Sequence, residues 1–169
     1  MKSTTPTPTF SRRTFTLAAS SLSAGTAFAA KSESDALGPV LPRRPLGATG
    51  LEVTRYCPGG MHIGWMEKDA DAQRAIELSI EKGSRFFDNA YMYGKGAAET
   101  LYGKFLTPKY REHVTLLSKT TGRTAKSARE QLEGGLRRMK TDHIDVYLMH
   151  AVNSVEDAKE RIAAGVLDE

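Results

Sequence analysis

Asp88, Tyr93, Lys119 and His150 are side chains that together can place a proton on a carbonyl oxygen. A phenol, with an ordinary pKa of about 10, is a poor proton donor at neutral pH. An ammonium beside it favours the phenolate and makes the hydroxyl a better acid, so Lys119 has a chemical reason to stand near Tyr93. Asp88 can hold Lys119 charged and oriented, and His150 can donate a hydrogen bond that sets a carbonyl oxygen beside the Tyr93 hydroxyl. Protonating a carbonyl oxygen while hydride reaches its carbon is carbonyl reduction, and the hydride must come from a cofactor. Taken singly, each residue has a plainer role. Tyr93 can be packing, Lys119 an ion-pair partner or solvated strand-end charge, His150 a satisfied interior imidazole, and Asp88 a turn or cap residue.

Their positions join them. Asp88 follows Arg85-Phe86-Phe87, and Tyr93 stands in the loop beyond. Lys119 closes the run from Val114 to Ser118, and His150 closes the run from Ile144 to Met149. Candidate strands begin near Tyr56, Ser84, Val114 and His143, at spacings of about 28 to 30 residues, the length of one βα unit. Short apolar runs alternating with helices predict an α/β fold with a parallel sheet covered on both faces. The carboxyl ends of such strands share one mouth, which gives the four side chains a route to meeting. A doubly wound sheet and a barrel fit this pattern equally.

The helices between are readable. Asp69 can cap the first and Gly83 end it, with Ala72, Ala75, Ile76 and Ile80 on one face. The second carries Ala98, Leu101 and Phe105 and stops before Pro108. Thr124 caps the third, whose stripe is Ala125, Ala128, Leu132, Leu136 and Met139; Gly134-Gly135 inside it costs about 1 kcal/mol per glycine relative to alanine. Ser154 starts the fourth, with Asp157 placed for a capping box and Gly165 near the end. Pro45-Leu46 and Leu51-Glu52-Val53 flank Gly47-Ala48-Thr49-Gly50, which predicts a hairpin.

Charge is unevenly placed. The 169 residues hold 24 basic and 20 acidic side chains, a net of +4. Residues 1–29 contain Lys2, Arg12 and Arg13 and no acid, so the remainder has 21 basic against 20 acidic residues and a net of +1. Balanced charge, without finger spacings of Cys and His, gives no reason to expect a nucleic-acid partner. No run approaches the ~18 apolar residues of a membrane span. The single Cys57 excludes a disulfide within the chain. The basic start, the mildly apolar Thr14 to Ala29 and the small-x-small Ala27-Phe28-Ala29 form an export signal over 1–29. Ser11-Arg12-Arg13-Thr14-Phe15 resembles the twin-arginine motif, with Thr16 where a leucine is usual. This predicts a periplasmic protein delivered by the twin-arginine machinery. Residues 30–44, with Pro39 and Pro42, read as a linker, and 45–169 as the folded part.

Phe87-Asp88-Asn89-Ala90-Tyr91-Met92-Tyr93-Gly94, followed by Glu99 and Leu101-Tyr102-Gly103, resembles the aldo-keto reductase signature around its catalytic Asp and Tyr. Leu117-Ser118-Lys119-Thr120 resembles the segment with that family's Lys, and Asp145 to His150 the segment with its His. The resemblance runs from about Arg44 onward, with the motifs in order and at matching spacings. It implies a TIM (β/α)8 barrel whose bottom is closed by the hairpin, with Asp88, Tyr93, Lys119 and His150 as the tetrad of a reductase acting on small carbonyl compounds. It implies NADP(H), or else NAD(H), as cofactor, touched by Gly60, Met61 and Asp88, and no metal. Trp65 can line a carbonyl pocket or shield apolar surface, and Cys57 reads as a small buried residue.

A full barrel takes about 250 residues. The resemblance therefore implies only about the first four βα units, a truncated form lacking most of the family's cofactor contacts, and no Gly-x-Gly-x-x-Gly supplies another dinucleotide site. Other readings stay open. One is a non-catalytic half-barrel that pairs with a partner as an auxiliary subunit. Another is a lyase using Lys119 as a Schiff-base nucleophile. A metal hydrolase is the weakest, because His62 and His150 lack a His-x-His partner or an adjacent carboxylate cluster.

Overall fold

The computed structural model describes residues 33–168. The export signal expected over 1–29 lies outside the described residues.

The segment read as a linker is structured where described. Strands β1 (Glu33–Asp35) and β2 (Gly38–Val40) pair antiparallel. Asp35 takes a forked ion pair from Arg85, Nε to Oδ2 at 2.7 Å and Nη2 to Oδ1 at 2.8 Å. Arg85 is 1% exposed, so this carboxylate is the counter-charge that lets it be buried. The Arg85 guanidinium in turn lowers the Asp35 pKa from its ordinary 3.8 to about 2. Strands β3 (Arg43–Pro45) and β4 (Glu52–Thr54) form the predicted hairpin, with Arg44 opposite Val53.

Helices α1 (Gly60–Ile63) and α2 (Asp69–Glu81) lead to β5 (Phe86–Asp88). A 3-10 turn (Tyr93–Gly96), α3 (Ala97–Phe105) and α4 (Thr107–Tyr110) follow. Then come β6 (Thr115–Thr120), α5 (Ala125–Met139), β7 (Val146–Met149) and α6 (Val155–Ala163). Among the described residues no helix is long and apolar enough to cross a membrane. Thr124 caps α5 through a capping box with Ser127, and the Ser154 hydroxyl accepts from Asp157 N to cap α6. Lys68, not Asp69, is the N-cap of α2; Asp69 and Asp71 occupy its first turn, where the helix dipole favours acids.

The parallel sheet has order β5-β6-β7, with Asp88 beside Leu117 and Leu117 beside Val146. The sequence pattern predicts four parallel strands, and the first of these, near Tyr56, is reduced to one bridge between Gly59 and Asp88. Pro58 has no N–H to give a ladder, though its carbonyl accepts from Asp88 N at 3.1 Å. The Tyr56 carbonyl is taken instead by the hydroxyls of Thr54 and Ser84, at 2.9 and 3.1 Å.

Alternation along the strands splits the core in two. Phe87 and Leu116 face the helices, packing with Ile76, Leu101, Tyr102 and Met139. Phe86 and Leu117 face the other way, with Val53, Leu46, Cys57 and Val146. Asp88 lies two residues beyond Phe86, Lys119 two beyond Leu117, and His150 four beyond Val146. Period two therefore puts all three above the smaller apolar cluster, which is the floor of the candidate site.

Gly134-Gly135 has a packing reason. A Cβ on Gly135 would stand 2.8 Å from Glu99 Oε1, because α3 and α5 approach closely around a buried ion pair. Glu99 is 1% exposed and accepts Arg138 Nε at 2.8 Å.

Candidate active site

Lys119 is the hub. Its ammonium pairs with the Asp88 carboxylate, donates to the Asn89 carbonyl at 2.9 Å and donates to the Tyr93 hydroxyl at 3.1 Å. Three N–H bonds are all that an ammonium has, so Lys119 is fully engaged as a cation. The Tyr93 hydroxyl donates to Asp88 Oδ2 at 3.3 Å, long enough to be exchanged for a better acceptor.

His150 completes the group from β7. Its ring meets Tyr93 edge to face, with centroids 5.5 Å apart and planes at 89°. Its main-chain N–H donates to the Thr120 carbonyl at 2.8 Å. Burial, reinforced by the Lys119 ammonium, lowers the His150 pKa below its ordinary 6.5, so the imidazole is neutral at pH 7. Its Nδ1 is buried without a partner. All four predicted residues are thus brought together.

Two further side chains, Tyr102 and Arg138, support the site. Tyr102 donates its buried hydroxyl to the Asp88 carbonyl at 3.0 Å, fixing the end of β5 from α3. Arg138 reaches across from α5 to Glu99 and lies over the Tyr91 ring at 5.3 Å. It also packs on Gly96, where a Cβ would stand 2.7 Å from its Nε. Gly94, Lys95 and Gly96 have φ of 62°, 53° and 94°, a left-handed run that brings the chain sharply round after Tyr93. For Lys95, which has a Cβ, that conformation costs roughly 1 kcal/mol. In sequence, the helical spacing of Glu99 and Tyr102 indicates burial without a partner's identity.

Gly60 packs beside the site, where a Cβ would stand 2.8 Å from the Asp88 carbonyl; close approach alone accounts for glycine there. Met61 lies half-buried in α1. Trp65 is 62% exposed and packs edge-on against the His62 ring at 5.5 Å. Cys57 joins the apolar floor, and burial pushes its thiol up to about 12, which makes it unreactive. Among the described residues no group of three or more His, Cys, Asp or Glu is placed to hold a metal ion.

Residues 56–166 match the aldo/keto reductase family. The chain belongs to that family. Among curated relatives, an uncharacterized oxidoreductase of Bacillus subtilis is 34% identical over 128 residues, covering 64% of this chain and 39% of the relative. A methylglyoxal reductase of Escherichia coli is 37% identical over 97 residues, covering 54% and 34%. Among solved structures, the holo form of an aldo-keto reductase from Bacillus halodurans superposes with a TM-score of 0.65 at 26% identity, covering 73% of this chain and 45% of that one. A thermostable aldo-keto reductase solved with the inhibitor epalrestat gives 0.60 at 29% identity, covering 75% and 50%. The chain spans 34–39% of the length of these two curated relatives.

Proposed function

We propose that this aldo/keto reductase chain carries the proton-delivering half of an NAD(P)H-dependent reduction of aldehydes or ketones to alcohols. The observation that carries the reading is the Tyr93 hydroxyl, held between the Lys119 ammonium at 3.1 Å and the Asp88 carboxylate at 3.3 Å with the His150 ring against its face. A carbonyl oxygen arriving beside Tyr93 replaces the long bond to Asp88 and takes the phenol proton. The phenolate left behind stands next to the Lys119 ammonium, the stabilisation that makes a phenol a usable acid. Neutral His150, with Nδ1 enclosed, presents its other ring nitrogen as a donor to the same oxygen. Asp88 keeps Lys119 in place throughout, and Tyr102 keeps Asp88 in place.

The rim beside Asp88 suits a flat ring: Gly59, bridged to Asp88, has open space where a side chain would stand. Gly60, Met61 and Asp88 are the residues we assign to holding a nicotinamide, NADP(H) by preference. When bound, that group supplies the hydride. The apolar floor of Phe86, Leu117 and Val146 keeps water from beneath the reacting atoms. The bulk of the fold in this reading is the first part of a (β/α)8 barrel, and delivery to the periplasm by the twin-arginine route belongs to the same proposal.

The test is turnover and nucleotide binding by the full chain. Quenching of protein fluorescence by NADPH, with NADPH consumption on adding methylglyoxal or simple aldehydes, supports the reading. No quenching and no turnover across a carbonyl panel would overturn it in favour of an auxiliary binding subunit.

A further inference from the structure

His150 lacks what usually holds a working imidazole. Its Nδ1 has no partner, so no side-chain hydrogen bond sets the ring orientation from behind. Its main chain is pinned instead. The N–H goes to the Thr120 carbonyl, and the carbonyl accepts Arg161 Nη1 at 2.8 Å. Arg161 Nη2 lies 3.4 Å from the next carbonyl, that of Ala151. Ala151 has φ of 53°, a left-handed conformation that residues with a Cβ rarely adopt, and it turns the chain away directly after His150.

Arg161 is built into α6 for this task. It is 5% exposed, and Asp157 one turn earlier grips it with both oxygens, Nε to Oδ1 at 3.1 Å and Nη2 to Oδ2 at 2.9 Å. Asp157 is itself held by Arg123 Nη1 at 2.7 Å and by Asn153 N at 3.3 Å. A solvated helix arginine would show none of this, and its fork is aimed at the two carbonyls that follow β7.

We propose that Arg161 is a positioning residue: by holding the carbonyls of His150 and Ala151 it sets the His150 ring against Tyr93. The claim rests on the reading of His150 as the group that orients the carbonyl substrate. The charges facing His150 are Lys119 on β6, Asp88 on β5 and Arg161 on α6; the two cations favour the neutral ring and Asp88 opposes them.

The experiment follows the His150 ring by nitrogen-detected NMR in the full chain, alongside steady-state kinetics, in Arg161→Met and Arg161→Lys. In Arg161→Met, His150 is expected to titrate at higher pH and its ring signal to shift or broaden. The kcat for carbonyl reduction should fall about tenfold while the KM for NADPH stays put. Arg161→Lys keeps a cation but loses the fork, so its His150 titrates near the parent value while the ring signal still shifts or broadens, with only part of the kcat restored. A folded Arg161→Met with parent His150 titration and signal would overturn the proposal. If that variant does not fold, a parent-like ring spectrum in Arg161→Lys overturns it instead. Absence of turnover in the parent would count against the reductase reading alone, because the His150 spectrum still decides the role of Arg161.

Discussion

The two corners of the site are held by different means. At the β5–β6 corner, Asp88, Tyr93 and Lys119 satisfy one another through side chains, and Tyr102 and Asn89 add two main-chain links. At the β7 corner, His150 meets Tyr93 through an edge-to-face ring contact alone and is fixed through its own backbone. Where functional groups position each other, a short motif is enough to place them. Where carbonyls do the positioning, the partner can be any residue type, and the burden moves to a buried arginine eleven residues away.

This contrast can be broken at the first corner most severely. Lys119→Met removes the hub and leaves Asp88 without its cation, so carbonyl reduction should fall by about 10²–10⁴ in kcat. NADPH titration of the same variant shows whether the loss is in chemistry or in binding. Next in size is the loop support. Arg138→Met strands the Glu99 carboxylate in the core, and urea unfolding at pH 7 should show a loss of about 3 kcal/mol. Burial raises the Glu99 pKa, so protonation relieves that charge and the deficit should shrink as pH falls.

A smaller effect lies at the far end of β5. The folded-state pKa of Asp35, about 2 against an ordinary 3.8, gives stability that is fully present above pH 3.8 and lost as pH falls towards 2. Its size is about 2 kcal/mol. Asp35→Asn should lose that amount at neutral pH and flatten the acid limb of the stability curve, read by urea melts at pH 7 and 3. The second corner should give the mildest change in rate. His150→Gln retains a donor, so kcat should fall about tenfold, far less than for Lys119→Met. Equal losses in these two variants would erase the distinction between the corners.

Much of this arrangement is legible in the chain itself. Runs ending at Asp88, Lys119 and His150 mark strand ends, and period two then puts those side chains on one face. Thr124 and Ser154 start their helices where hydroxyl caps are expected. The misses have physical causes. Residues 33–40 look like a linker because their strands are three residues long and include Pro39 and Gly38. Their anchor, Arg85, lies fifty residues away from Asp35. The strand near Tyr56 fails because hydroxyls take the Tyr56 carbonyl and Pro58 has no N–H to give a ladder. Gly134-Gly135 looks like a weakness until Glu99 and Arg138 are seen to need the space. Arg161 is silent in sequence because main-chain acceptors leave no trace in residue type.

The most direct test is Tyr93→Phe, which removes one hydroxyl and keeps the ring that packs against His150. NADPH affinity and kcat for carbonyl reduction are measured side by side with the parent chain. The expected result is parent-like NADPH binding with kcat lowered by about 10²–10⁴, the contribution of a positioned proton donor. Turnover equal to the parent would contradict the account, because the proton would then come from some other group.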